Sequence, residues 1–563
     1  MELKTTAGNE LRYRCDTRSG YSRLDYFMMM FPHSHLEKIT RLTNIQLKNK
    51  NKKETTISEI LKWFGVILLC TKYEFFSRRS LWRTTSSSAC VATPNFGKTG
   101  MTRGRFDDLW CCARFSDQPE ERPENMRHEN YRWLLVDDFV EAFNEHQKDK
   151  FVPSELICAD ENISRWYGQG GSWINLGLSM YVAIDRKPEY GCEIQNICCG
   201  RSGVMLKLRL VKSAALEEYH TQMNEEGIIH GAAVLKDLVI HYANSNRIVC
   251  ADSYFASVQT CEVMKRIGLR FIGVVKNCSK RFPMAKLSEI ELEERGDSFA
   301  LVSKDIITKK VDMFALVWMD RNRRYFVANT STLKDGRPYN RTRWRQVDTT
   351  VNAEPEQVEL VVRQPKICKI YYDVCGMIDQ HNRHRQDTLM IERKLVTDDW
   401  SKRVNLSILS MIMVDTWLVY NHCTNPEHEV QKLFYEFLAE ELIDNNYDET
   451  SRATLRGRRQ RGGDNRSSST VQAARQLVVS QNGHLKSGSH IHLTPTKEFR
   501  RYRGEVTKCR QQSWCKICKK KKSKYLCSIC LEKKGENVWL CHTDTLRSCF
   551  ADHVEKDHSV DSD

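Results

Sequence analysis

The chain has 563 residues (65.8 kDa), 40% of them apolar and 28% charged, with a formal net charge of +15 and a mean hydropathy of −0.55. Its 12 prolines and 27 glycines exclude a collagen-like or wholly disordered chain, and the length suits about two to four domains with cores of their own. The first residues lack an apolar stretch and no apolar run reaches the ~18 residues of a membrane span, so a soluble, intracellular protein with no membrane partner is expected.

Along the chain, Tyr26–Leu47 and Thr56–Thr71 place apolar residues at helical spacing, and residues 1–150 read as a mostly α-helical domain. The pattern then changes to short apolar runs. Leu156–Ala159 ends at Asp160, Met180–Ile184 ends at Asp185, and Gly191–Cys199 and Met205–Lys212 follow, with glycine-rich turns between them. Val234–Tyr242 reads as a helix. Arg247–Ala251, Ser257–Ile267 and Arg270–Val275 form a strand–helix–strand unit, which implies parallel pairing. Residues 277–370 break this rhythm and read as an insertion containing a hairpin, Asp312–Met319 with Arg324–Thr330. Helices resume in 371–447, where Trp400–Tyr420 is apolar on most faces and should be buried. Three antiparallel strands, a helix, a parallel strand–helix–strand, an insertion and a helix describe an α/β, RNase H-like core, divided between 151–276 and 371–447.

The excess charge is concentrated near the C-terminus. Ser451–Thr470 holds six Arg and one Asp, and Lys497–Lys524 holds twelve Lys/Arg and two Glu. A basic linker at 448–507 implies a polyanionic partner, with nucleic acid the expected one, since phosphate neutralisation releases counterions. Arg456–Arg461 and Lys519–Lys522 also read as nuclear localisation signals, so a nuclear protein is expected. Arg500, Arg501, Lys519, Lys520, Lys521 and Lys522 are the candidate nucleic-acid contacts here.

Most of the 22 cysteines are scattered in apolar runs, as buried small hydrophobes are, but seven fall in the last 64 residues with ligand spacing. Cys515-x2-Cys518 and Cys527-x2-Cys530 are followed by Cys541, His542, Cys549, His553 and His558. Two such knuckles with further Cys and His offer ligands for two tetrahedral Zn²⁺ ions, and residues 508–563 could hardly build a core without metal. The pairing is open. An interleaved one, with Cys515 and Cys518 sharing a metal with Cys541, is preferred.

Two-metal phosphoryl transfer needs acidic side chains converging on divalent ions about 3.5–4 Å apart, and Mg²⁺ or Mn²⁺ suits a site built from few carboxylates. Asp160 and Asp252 each follow an apolar strand, and Asp379 opens the following helix. An Asp after a strand is also an ordinary turn or helix-cap residue, and Asp185 meets the same criterion. Just beyond Asp379, His381, Arg383, His384 and Arg385 could meet phosphates or form a solvated helix face. Trp166 and Tyr167 could stack on a base or pack in the core.

These residues resemble the piggyBac-type DDE/D transposases across nearly the whole chain. The matching blocks are Tyr26–Pro32, Glu59–Trp82, Asp160-Glu161 with Trp166–Gly171, Arg186–Pro188 with Gly191, Asp252–Ser257, Tyr371–Asn382, Asp399-Trp400 and the cysteine-rich end. The family pattern Y-N-x-x-M-G-G-V-D-x-x-D falls on Tyr371–Asn382. The resemblance implies that Asp160, Asp252 and Asp379 are the catalytic, Mg²⁺-binding aspartates and that Asp185 is a turn residue. It further implies a helical dimerisation and DNA-binding domain ahead of the core, a homodimer, and a zinc-binding tail that reads double-stranded terminal-repeat DNA. Cut-and-paste transposition at TTAA targets through a hairpin intermediate belongs to the same implication. The sequence departs from the pattern at Asn382, where the family has a fourth acid, and at Gly376-Met377 within "GGVD". Two rivals stand beside this reading. One is a non-cleaving DNA-binding or chromatin protein derived from such a transposase; the other is a RING-like interaction module on an inert body.

Overall fold

The computed structural model describes residues 10–11, most of 21–447 and scattered stretches between 493 and 553; within 21–447 the longer segments outside that description are 86–92, 167–181, 184–189, 213–225 and 346–355. The chain divides into two units, Met1–Gly457 and Arg458–Asp563.

In the first unit, α1 (Arg23–Met30) starts at a reciprocal cap, in which the Ser22 hydroxyl accepts from the Asp25 N–H and the Asp25 carboxylate accepts from the Ser22 N–H. The helix expected over Tyr26–Leu47 is two helices, split at Phe31–Pro32. Proline has no N–H to continue the ladder, and it holds the residue before it extended. Then come α2 (His33–Asn49), α3 (Ile57–Cys70), α4 (Arg103–Cys112) and α5 (His128–Lys150). Their inner faces close an aromatic core around Phe27, Phe31, Trp63, Phe64, Phe115 and Phe139. The Thr56 hydroxyl caps α3 by accepting from the Glu59 N–H.

One nine-stranded mixed sheet follows: β1 (Leu156–Arg165), β2 (Val182–Ala183), β3 (Tyr190–Cys199), β4 (Met205–Leu210), β5 (Ile248–Ala251), β6 (Arg270–Val275), β7 (Ser298–Lys304), β8 (Val311–Met319) and β9 (Arg323–Ala328). Across the sheet, β3 carries β2 and β4 on its outer edge, and the order continues β3-β1-β5-β6-β9-β8-β7. The β1–β3 and β3–β4 pairs are antiparallel, whereas β1–β5 and β5–β6 are parallel. The crossover helix α7 (Val258–Arg266) joins β5 to β6, as the alternation of patterns implies, and α6 (His230–Val239) precedes β5. As the central parallel strand, β5 is covered on both faces, which is why Ile-Val-Cys-Ala is wholly apolar. The expected hairpin of the insertion is β8–β9, and with β7 it adds three antiparallel strands to the free side of β6. Tyr339–Arg345 and Glu356–Val362 form a separate ribbon.

The chain then returns to helices: α8 (Lys366–Val374), α9 (Met377–Arg383, running into a π turn at His384–Leu389), α10 (Trp400–Thr424) and α11 (Gln431–Ile443). By length and composition α10 could cross a membrane, yet 83% of its most apolar window is buried inside the fold, against α1, α5 and β1. α11 lies on α3, where Gly65 permits close approach; a Cβ there would stand 2.8 Å from the Ala439 carbonyl oxygen.

In the second unit Leu493–Pro495, Tyr525–Cys527 and Trp539–Leu540 form a small antiparallel sheet. Its core is Cys515, Cys527, Cys530, Val538, Leu540 and Cys541.

Candidate catalytic site and metal-ligand clusters

The first strand does not end at Asp160. It runs on to Arg165, because β3 keeps pairing along its other edge as far as Arg165–Gly191. The parallel partner β5 leaves earlier, its last pair being Ala159–Ala251. Asp160 and Asp252 therefore each stand one residue beyond the last parallel pair, at the same end of adjacent strands. Oxygen atoms of Asp160, Glu161 and Asp252 lie within 4.8 Å of one another. Beneath them, register pairing sets Cys198, Cys158 and Cys250 side by side as buried thiols.

Backbone N–H groups orient two of the carboxylates. Asp160 Oδ1 accepts from the Glu161 N–H at 2.9 Å, and Asp252 Oδ1 accepts from the Tyr254 N–H at 2.8 Å. The loop bearing Asp252 rests on α6 at Gly231, where a Cβ would stand 2.8 Å from the Tyr254 carbonyl oxygen. Burial, and after it the neighbouring Glu161 carboxylate, pushes the Asp160 carboxyl up to about 9. The same two causes raise Asp252, tempered by the N–H groups of Tyr254 and Ser253 and by the Lys276 cation. Three hard oxygen donors crowded together are the donor set of Mg²⁺ or Mn²⁺, and a divalent cation is the counter-charge that lets them ionise together. The residues present fit such an ion.

Asp379 stands outside that trio, half-buried in the first turn of α9, which packs on β1. Burial, the Cys158 thiol and the carboxylates of both Asp160 and Asp379 raise the Cys375 thiol to about 12, so the two acids lie near one side chain. Glu161 was not singled out as a ligand from the sequence, although it stands beside Asp160; neighbouring strand residues ordinarily face opposite sides.

The run after Asp379 behaves differently from a phosphate-binding face. Ile378, His381, Asn382, Arg385, Gln386 and Leu389 are all buried, at the three-and-four spacing of one helix side. His381 Nε2 lies 3.2 Å from Asp415 Oδ1, which also accepts from the Met205 N–H at 2.9 Å. Burial drives both groups of this pair toward their neutral forms, holding His381 down to about 3 and Asp415 well above the usual carboxylate range. His384 Nδ1 meets Gln431 Oε1 at 2.9 Å, and its ring packs on Trp417. Arg385 is committed to Glu392 and to the Ile163 carbonyl, so the expected phosphate contact is corrected for this residue. Only Arg383 of the four is exposed. Trp166 is half-buried against the core, whereas Tyr167 and Asp185 lie outside the described residues.

Two further clusters occupy the second unit. Ligand atoms of Cys515, Cys518 and Cys541 lie within 4.8 Å of one another, as do those of Cys527, Cys530 and His553. Cys518 Sγ and Cys541 Sγ are 3.6 Å apart, and Cys530 Sγ is 3.4 Å from His553 Nε2. The groups interleave along the chain. Thiolate and imidazole donors of this kind suit zinc among the common ions. His542, Cys549 and His558 lie outside the described residues. Lys519 is exposed beside the first knuckle, Lys522 lies in a short strand, Arg500 and Arg501 lie in the strand Phe499–Tyr502, and Lys520 and Lys521 are outside the description.

Acids gathered at the ends of the central parallel strands of the first unit, and two soft-donor clusters within the second, give the chain the candidate ligand sets of a metal-dependent protein. The family model described as Transposase IS4 matches residues 22–417, and the chain belongs to this transposase family. Among solved structures it is similar to the piggyBac transposase determined by cryo-EM as a synaptic complex with hairpin DNA. The TM-score is 0.58 at 16% identity, covering 95% of this chain and 99% of that one, so the fold is shared. No curated protein sequence matches the chain.

Proposed function

We propose that the protein is a piggyBac-like cut-and-paste DNA transposase. Its RNase H-like core would cleave and rejoin phosphodiester bonds using Mg²⁺ or Mn²⁺ held by Asp160, Asp252 and Asp379, with Glu161 alongside. The observation that carries this reading is the convergence of Asp160 and Asp252 at the ends of adjacent parallel strands, in a chain of a transposase family. The order β4-β3-β1-β5-β6, antiparallel on one side of β1 and parallel on the other, supports the RNase H-like assignment.

Asp160 follows directly on a segment paired along both edges and is itself paired with Asn196, so it serves as the fixed point of the site. Asp252 is oriented by the backbone of its own turn and Asp379 by the first turn of α9. Divalent ions bound there supply charge neutralisation at the scissile phosphate and a stronger nucleophile at neutral pH. Carboxylates already held in place need no reorganisation as the reaction proceeds. Exposed Arg383, one turn past Asp379, is suited to grip a neighbouring phosphate.

The tail is read as two zinc sites, Cys515/Cys518/Cys541 and Cys527/Cys530/His553, completed from among His542, Cys549 and His558. With Arg500, Arg501 and Lys519–Lys522 it would bind terminal-repeat DNA. Residues 1–150 would contribute to dimerisation and DNA binding, and the target would be TTAA sites in the nucleus.

The test is nicking of terminal-repeat DNA in Mg²⁺ or Mn²⁺ by wild type and by Asp252→Asn. Wild type should cut, and the variant should bind equally and cut about a thousandfold more slowly. Binding by both without nicking by either overturns the enzyme reading. That outcome leaves a DNA-binding protein derived from a transposase, which Asn382 in place of the family's acid would favour.

A further inference from the structure

Asp160 and Asp379 stand on separate elements, β1 and α9, so an ion shared near both requires something to hold the helix against the strand. Two side chains span that gap, and Arg385 makes the wider set of contacts. Arg385 is 1% exposed, and its Nη2 donates to the Ile163 carbonyl of β1 at 3.0 Å while lying 3.5 Å from Asn382 Oδ1. Its Nη1 pairs with Glu392. Gln386 adds a second bond from the same helical segment to the Ile163 carbonyl, at 3.2 Å. A guanidinium spreads its donors over separate nitrogens in one rigid plane and so bridges acceptors farther apart than the single nitrogen of an ammonium group can.

The same geometry gives Asn382 a different task from that of an acid at its place. Residue 382 is on the buried side of α9, 8% exposed, with its amide oxygen toward Arg385. We propose that Arg385, with Asn382 as one of its acceptors, is a positioning residue that fastens α9 to β1 and so sets where Asp379 stands relative to Asp160. Residue 382 serves this fastening and not an ion. The inference rests on the metal-site reading above.

The test uses full-length protein, Mn²⁺ as the probe, binding measured by calorimetry, and thermal melting without added metal. Arg385→Lys keeps a cation beside Glu392 but cannot reach β1 as well, and it should weaken Mn²⁺ binding about tenfold. Glu392→Gln loses the ion pair and keeps the tether, so it should melt earlier with Mn²⁺ affinity within about twofold of wild type. Asn382→Asp should bind the same number of ions. Wild-type affinity in Arg385→Lys, affinity losses in both variants that simply track melting temperature, or an additional Mn²⁺ in Asn382→Asp would each overturn the proposal. If Arg385→Lys does not fold, the ion count of Asn382→Asp decides. Asp252→Asn separates the two readings. If wild type has no Mn²⁺ site that this variant removes, the metal-site reading fails and the fastening role falls with it. If that site exists and Arg385→Lys leaves it unchanged, the fastening role alone fails.

Discussion

The carboxylates of Asp160, Glu161 and Asp252 sit on strands whose core is already closed by apolar side chains, whereas Cys515, Cys527, Cys530 and Cys541 are themselves most of the core of their unit. In the first region the fold comes before any ion. It holds the carboxyl groups together without an ion by keeping Asp160 protonated at neutral pH, since burial and then Glu161 disfavour its charge. In the second region Val538 and Leu540 are joined by little more than Leu526 and Ile517 among the described residues, too little apolar burial to order the segment, so ion binding and folding should be one process there. Ligand removal should thus have opposite effects on stability in the two units.

The largest expected effect is in the tail. Chelation, or Cys515→Ser with Cys518→Ser, should remove structural binding energy of about 10 kcal/mol and lower the zinc content. Limited proteolysis should open residues 493–553 while the melting of the first unit stays in place; an unchanged metal content would end the zinc assignment. Next is Arg385→Met, which strands Glu392 as a buried, uncompensated charge and should cost about 3–5 kcal/mol in denaturant melts, with or without chelator.

His35 gives a pH signature to the first unit alone. Burial holds its imidazole down to about 4, although its Nε2 lies 2.6 Å from the Phe115 carbonyl oxygen. The unfolded chain takes up this proton near pH 6.5 and the folded chain only near 4, so stability should fall as pH drops through that window, by about 3 kcal/mol in all. Melts of His35→Phe should lose the His35 share of that slope and keep the share of His381, which burial holds lower still. Smallest is Asp252→Asn in metal-free protein: burial first and then Glu161 disfavour the Asp252 charge, so an uncharged amide there should raise stability slightly even as cleavage is lost. A drop in stability on that substitution would break the contrast between the two regions.

Much of this was legible in the residues. Arg247–Ala251, Ser257–Ile267 and Arg270–Val275 correspond to β5, α7 and β6 within a residue at each end, because a buried parallel strand and an amphipathic crossover leave distinct patterns. The continuation of β1 past Asp160 was not legible: Glu161–Arg165 is largely polar, and its strand state depends on a partner some thirty residues away. The side of α9 that packs inward was missed for a related reason. Its spacing is helical, but His381, Asn382, Arg385 and Gln386 look like surface residues until their acceptors are known. The joining of β7–β9 to β6 is likewise long-range pairing that no local pattern announces.

α10 has a consequence for how the chain is made. Trp400–Thr424 is long and apolar enough by composition to favour a bilayer while it is unpacked, and burial inside the fold removes that surface. Its packing partners α1, α5 and β1 are all synthesised earlier, so a docking surface stands ready when it emerges. A circular permutant that begins at α10 would reverse this order and leave the helix exposed until the rest of the unit had been translated.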